Sequence, residues 1–429
     1  MPAAQRLAAL IEQVLGGPSP VRLRAWDGSE AGPPDTEGPV LVVRHRRALR
    51  RLLYRPGELG LARAWVAGEL DVEGDLYEAL DRLTTLAMRR PDAPPAARLA
   101  TARDLLALIG PVVPVPLPAP PEEMPRRSGA LHSLRRDRSA ISHHYDVGND
   151  FYELVLGPSM VYSCAVFGTQ DTTLAEAQAA KLDLICRKLA LREGQRLLDV
   201  GCGWGSMAIH AAREYGVTVV GITLSAEQAA YARERVVKEG LEDRVEIRVQ
   251  DYRETADGPF DAISSIGMAE HVGAARYQEY ATRLYGLLRE GGRLLNHQIA
   301  RRPWKDESAY RIDPFIDAYV FPDGELAPVG RTVGLLERAG FEVRDLESLR
   351  EHYALTLREW VRNLEAGWGE AVRLSSAGRA RVWRLYMAAS ALAFERGRIG
   401  VNQVLAVRPP ADGASVLPLR PRAWVERTA

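Results

Sequence analysis

The chain has 429 residues, 46% of them hydrophobic, which is enough for two or three packed domains. Lys plus Arg and Asp plus Glu both number 56, so no overall field recruits nucleic acid. Three cysteines, Cys164, Cys186 and Cys202, lack CxxC spacing, which argues against a disulfide framework or a zinc site and for a reducing cytosol.

The opening "MPAAQRLAALIEQVLGG" predicts a short amphipathic helix without the apolar core and cleavage site of a signal peptide. No window reaches 18 uninterrupted apolar residues, so any membrane contact is expected from the side. Residues 1–108 read as one small N-terminal domain, open to a membrane or a homodimer contact. Its "RHRRALRRLLYR" carries Arg44, Arg46, Arg47, Arg50, Arg51 and Arg55. A second cluster holds Arg126, Arg127, Arg135, Arg136 and Arg138. Each is either a headgroup-binding patch, at about 1 kcal/mol per basic residue, or a solvated face of ion pairs. The proline-rich stretch within 109–138 predicts a semi-rigid linker.

From 139 to 429 strand and helix patterns alternate. Strands are expected at 196–200, 217–222, 245–249, 260–266 and 292–299, with helical patterns between them and two late strands at "FEVRDL" and "VNQVLAV". That alternation predicts an α/β fold: a Rossmann-like, mostly parallel sheet with an antiparallel late strand. The apolar face holding Trp383, Tyr386, Met387 and Phe394 is core, a wall for a lipid tunnel, or both.

The sharpest motif is "LLDVGCGWGS". A strand ends at Asp199, and Gly201, Gly203 and Gly205 then turn the chain into a helix. Ser206 fits poorly as the third small residue of a dinucleotide fingerprint. An acid two residues before the first glycine is instead the pattern of S-adenosylmethionine-dependent methyltransferases, whose cofactor carries an amino acid and a sulfonium rather than a diphosphate. Asp199, Gly201, Gly203 and Gly205 are therefore the core of the expected cofactor site. The second strand, leading into "GITLSAEQ", lacks the acid that most such enzymes place at its end to hold the ribose hydroxyls.

Six stretches in order, "HHYDVGNDFYELVLGPSMVYSCAVF", "LLDVGCGWG", "VVGITLSAEQ", "SIGMAEHVG", "LLNHQI" and "EHYALTL", span about 143–407. Together they resemble the cyclopropane-fatty-acyl-phospholipid synthase family, which includes mycolic acid cyclopropane synthases and fatty-acid methyltransferases. The small N-terminal domain and linker are similar to the bacterial phospholipid-modifying branch. The resemblance implies cofactor contacts from Tyr145, Tyr162, Ser163, Gly201, Gly203, Thr223, Leu224 and Gln228, with Asp251 or Tyr252 near the adenine. It also implies a bound bicarbonate ion, held by Glu270, His297 and Tyr353 and by the backbone at Cys164 and Ile299. No metal is implied.

The implied chemistry is transfer of a methyl carbon to the cis double bond of an unsaturated phospholipid acyl chain. The resulting carbocation needs an apolar, water-free tunnel, aromatic rings and a base. A bicarbonate base avoids alkylation of a side-chain carboxylate, with Glu270 accepting its hydroxyl hydrogen and His297 and Tyr353 donating to its oxygens. Read alone, Glu270 is an acid at a helix N-terminus and His297 a core histidine. His271 is expected to point elsewhere. Deprotonation at once closes a cyclopropane. A prior hydride shift gives a methylene branch, which needs a separate reductase for saturation, and the "NHQI" variant tilts the analogy that way. The implied location is cytoplasmic, peripheral at the inner membrane face. Alternatives are a non-catalytic lipid-binding protein on a methyltransferase fold, and a methyltransferase for a small molecule.

Overall fold

The structure, a computed structural model, describes residues 1–35, 37–88, 108, 115–124, 147–414, 417–419 and 422. Arg126, Arg127, Arg135, Arg136, Arg138 and Tyr145 lie outside the described residues. By compactness the chain falls into two units. The first comprises Met1–Arg126, Asp313–Val320 and Trp368–Leu392. The second comprises Arg127–Ile312, Phe321–Gly367 and Ala393–Ala429. A linear division at 108 and 139 assigns all later helices to the catalytic domain. Compactness instead groups two late helical segments with the N-terminal sheet.

In the first unit, β1 (Arg22–Arg24), β2 (Glu30–Ala31), β3 (Val40–Val43) and β4 (Leu70–Glu73) form a small sheet in the order β2-β1-β3-β4. The helix Ala3–Leu15 buries Ala4, Leu7 and Leu10 with Leu23, Val43 and Leu49. The late helical segment joins this unit through Arg381. Its guanidinium lies 4.5 Å from the centre of the Trp65 ring, and Trp65 Nε1 donates to its carbonyl oxygen at 2.9 Å. Trp383, Tyr386 and Met387 are buried.

Most of the arginine-rich segment is satisfied internally. Arg44 pairs with Asp71, and Arg47 and Arg51 both pair with Glu69. Arg46 covers the Trp26 ring at 5.3 Å. Among the described residues this face is closer to a salt-bridged surface than to a free cationic patch. No described helix is long and apolar enough to cross a membrane.

The second unit is built on seven strands: β5 (Arg196–Val200), β6 (Thr218–Thr223), β7 (Val245–Val249), β8 (Phe260–Ile266), β9 (Leu288–Arg301), β10 (Glu342–Ser348) and β11 (Ile399–Val407). Their order is β10-β11-β9-β8-β5-β6-β7. The five strands from β9 to β7 are parallel, and β11 inserts antiparallel between β9 and β10. Val/Ile/Leu-rich strands buried on both faces are what a parallel sheet covered by helices requires. β5, β7 and β8 take the predicted limits, while β9 runs longer at both ends.

The helix Leu174–Leu189 begins with a capping box in which Thr173 and Glu176 satisfy each other's backbone N–H groups. Its inner side packs Leu182, Ile185 and Leu189 with Leu197, Leu295 and Leu405 of the sheet. On the opposite face, Leu198, Ile263, Leu294 and Val404 pack with Tyr280 and Leu284.

Leu294, fully buried at the centre of β9, sets a stability test. Leu294→Ala is expected to lower the free energy of unfolding by about 2–5 kcal/mol. Val237→Ala, at an exposed helical position, is expected to stay within about 0.5 kcal/mol. Urea titrations of both variants measure the difference.

Candidate active site

The carboxyl ends of β5, β6 and β8 open onto one cavity. β5 delivers Asp199 and the glycine turn. Gly201, Gly203 and Gly205 all have positive φ, a conformation that costs glycine little and other residues much. A side chain at Gly201 would press on Met268, whereas one at Gly203 would meet nothing within 4 Å. The turn is tied down on both sides. Gly201 and Cys202 donate N–H bonds to the Ile222 carbonyl, and Arg235 donates to the Trp204 carbonyl.

Asp199 is 2% exposed. Its Oδ1 accepts from Ser264 at 2.7 Å, while its buried Oδ2 has no partner among the described residues. Burial pushes this carboxyl up to about 6, against the lowering effects of Ser264 and Lys181. An unpartnered buried carboxylate oxygen costs about 1–3 kcal/mol and fits a cationic ligand group. The ammonium of an amino-acid-bearing cofactor matches it.

Ten of the twelve residues expected at the cofactor line this cavity: Tyr162, Ser163, Asp199, Gly201, Gly203, Thr223, Leu224, Gln228, Asp251 and Tyr252. Tyr145 lies outside the described residues. Gly205 is not in the lining. It begins the helix Ser206–Tyr215, and a Cβ there would sit 3.1 Å from Ala232, so its smallness serves helix packing. At the end of β6, Thr223 Oγ1 donates to Gln228 Oε1 at 3.0 Å, and Ser225 caps the helix Ala226–Lys238. Asp251 is held on both carboxylate oxygens by Arg253, leaving Gln250 and Tyr252 as other lining side chains on that segment.

Four further lining residues bear on the site without having been expected there. Gln250 and Met268 sit beside motif residues. Lys181 is buried and donates to Ser163 Oγ at 3.0 Å; burial lowers it to about 8. Its place in "EAQAAKLDL", a polar residue on an apolar helical face, was the signal available in the sequence. The fourth is His271. Expected to point elsewhere, it lines the cavity, with its ring 5.7 Å from Phe321. Its neighbour Glu270, about 100° further round the helical turn, is not in the lining.

Glu270 Oε1 accepts the Ile299 backbone N–H at 2.8 Å. The Ile299 N–H, expected to hold an anion, is therefore engaged by this carboxylate. Glu270 Oε2 is buried with no partner among the described residues, and burial pushes the group up to about 7. His297 is 2% exposed. Its Nδ1 lies 3.3 Å from Gln403 Nε2, and its Nε2 is buried without a partner among the described residues. Burial holds it down at about 3, with Lys181 and Lys188 adding to the effect, so the ring is neutral at physiological pH.

The expected ion ligands do not line the cofactor cavity; they stand one step behind it. Cys164 follows the lining residue Ser163. Glu270 sits between Met268 and His271, and His297 is the cross-strand partner of Ile266. Tyr353 reaches the cavity through rings: it lies edge-on to Trp360 at 6.0 Å, and Trp360 lies 5.4 Å from Tyr162. Tyr353 also contacts Phe394 at 4.7 Å. Cys164 is fully buried and burial pushes its thiol far up, so it is not a nucleophile.

The family model for mycolic acid cyclopropane synthetase matches residues 132–404, more than half of the chain. The chain belongs to that family. It is thus an S-adenosylmethionine-dependent methyltransferase whose family acts on fatty acyl chains. It is 46% identical to a probable fatty acid methyltransferase of Mycobacterium tuberculosis, over 94% of this chain and 95% of that one. It is 39% identical to the cyclopropane-fatty-acyl-phospholipid synthase of Escherichia coli K12, over 67% of this chain and 72% of that one. Among solved structures it resembles mycolic acid cyclopropane synthase CmaA1 complexed with SAH and CTAB. There the TM-score is 0.59 and the identity 36%, over 63% of this chain and 98% of the other.

Asp199 gives the test of this cavity. Asp199→Asn is expected to weaken cofactor binding about 10- to 100-fold, as loss of a charged hydrogen bond of ~1.5–3 kcal/mol implies. A bound ammonium favours ionised Asp199. Wild-type affinity should therefore hold above about pH 6, where the free carboxyl is ionised, and fall on the order of tenfold per unit below it. Calorimetric titration with S-adenosylhomocysteine across that range checks both.

Proposed function

We propose that this enzyme alkylates the cis double bond of unsaturated acyl chains in membrane phospholipids, and that a bicarbonate ion held by Glu270, His297 and Tyr353 receives the departing proton. The observation that carries this reading is a pair of buried, unpartnered atoms of complementary character. Glu270 Oε2 can accept, and neutral His297 Nε2 can donate. An anion bearing one hydroxyl satisfies both, and at neutral pH bicarbonate is such an ion.

S-adenosylmethionine, when bound, supplies an electrophilic methyl group. This chain's residues do the rest. Asp199 and the glycine turn orient the cofactor. Tyr162, Trp360, Tyr353 and Phe321 form an aromatic wall that faces positive charge favourably, by about 0.5–2 kcal/mol per contact, and keeps water away. His297, depressed to about 3, is too weak a base to take the proton itself. Glu270, pushed up to about 7, keeps a hydroxyl-accepting oxygen when ionised. The division of labour is that side chains clamp and the ion accepts.

A methylene-branched product is favoured over a ring. The ground is the "NHQI" variant at 296–299. Peripheral contact with the inner membrane face belongs to the same proposal, because the acyl chain must leave a bilayer.

Expression in a bacterium followed by mass spectrometry of its fatty acids is expected to show monounsaturated chains heavier by one methylene unit. Proton NMR then separates branch from ring; unchanged chains despite cofactor binding overturn the proposal. Glu270→Gln is expected to lower turnover at least about 100-fold with cofactor affinity intact. Assays in carbonate-free buffer are expected to lose activity that added bicarbonate restores, and full activity without bicarbonate refutes the ion's role.

A further inference from the structure

Three strands of the second unit place Glu347, Gln403 and His297 in one row across the sheet. Glu347 pairs with Gln403 between β10 and β11, and Gln403 pairs with His297 between β11 and β9. Directly paired residues share a face of the sheet. Above that face runs the helix Leu174–Leu189, whose Lys188 side chain is fully buried. The Lys188 ammonium contacts the Glu347 carboxylate and donates to Gln403 Oε1 at 2.7 Å. Gln403, also fully buried, turns its Nε2 toward His297 Nδ1 at 3.3 Å.

The donor inventory fixes every proton in this row. An ammonium has no acceptor, so it can meet only the oxygen of the Gln403 amide. The amide orientation is thereby set, and its NH2 must face His297. An NH2 group can only donate, so Nδ1 must offer its lone pair. A neutral imidazole carries one proton, which is left to Nε2. Burial pulls Lys188 down from its ordinary range, and the adjacent Glu347 opposes that pull.

We propose that Lys188 and Gln403 are positioning residues that lock His297 as its Nε2–H tautomer, so that the ring presents a donor, never a lone pair, to an anion at the site. The inference rests on the proposed anion site for its catalytic consequence, but the tautomer itself does not depend on that reading. The row also accounts for a lysine that is fully buried and yet does not line the cofactor cavity. Replacing the Gln403 amide with a carboxylate inverts the logic. A carboxylate at that position would accept from both neighbours, draw the imidazole proton to Nδ1 and turn a lone pair toward the anion.

The test is nitrogen NMR of the full-length protein labelled with 15N-histidine, with His297→Gln assigning the resonance. Wild type is expected to show a protonated Nε2 and an acceptor Nδ1, unchanged between about pH 6 and pH 8. Gln403→Glu is expected to exchange the two signatures and lower turnover at least about tenfold, with S-adenosylhomocysteine affinity within about twofold of wild type. Lys188→Met, which frees the amide to flip, is expected to give a mixture of tautomers. A wild-type His297 protonated at Nδ1 overturns the inference without recourse to any variant. So does a Gln403→Glu protein that keeps the wild-type signature and rate. Bicarbonate dependence of wild-type turnover is read separately. If it is absent while the tautomer exchanges and the rate falls, the proposed base is wrong and the positioning role stands. If it is present while the tautomer is Nδ1–H, the ion's role stands, and the positioning role falls together with His297 as its donor.

Discussion

The catalytic end of this sheet is organised around buried polar atoms that have no hydrogen-bond partner among the described residues. Asp199 Oδ2, Glu270 Oε2 and His297 Nε2 are all shielded from solvent, and in each side chain only the other polar atom is engaged. At about 1–3 kcal/mol apiece, three such atoms cost a substantial part of a domain's net stability. The seven-stranded sheet, with apolar cores on both faces, offsets that cost. The same burial sets the ionisation of each group: up for the two carboxyls, down for the imidazole. A ligand that completes these bonds therefore gains from a penalty already present in the folded chain.

Most of the sheet was legible because parallel strands are short, continuous apolar runs separated by helical periodicity. The cofactor turn was legible because glycines with positive φ and a preceding acid leave a local signature. What could not be read were contacts set by cross-strand register. Nothing near Gln403 in the sequence says that it will sit opposite His297, 106 residues earlier. Lys188 likewise reads as one more charged helical residue until the strands are placed. His271 and Glu270 show the same limit at short range. Both lie in one motif, and only the direction of a four-residue helix decides which faces the cavity. The resemblance implies an anion at the Ile299 backbone, whereas its N–H is engaged by Glu270.

The arginine-rich N-terminal segment illustrates the opposite error. Six arginines in twelve residues suggest a cationic surface, yet their carboxylate partners come from elsewhere: Glu69 and Asp71 arrive on and beside β4. Charge density along a sequence does not give charge density on a surface. The pairs of Arg44 and Arg47, whose guanidinium groups are exposed, contribute little to stability, whereas Arg51–Glu69 is buried. They do reduce the field that an anionic bilayer would meet.

The insertion of β11 between β9 and β10 has a consequence for biogenesis. Gln403 belongs to the last strand of the sheet, so a ribosome must synthesise past Val407 before His297 acquires its neighbour. Until then β9 and β10 lack the strand that joins them, and such long-range closure is a late event in folding. An incomplete polypeptide that stops short of β11 holds the whole sequence of the glycine turn, yet His297 then has no Gln403 beside it.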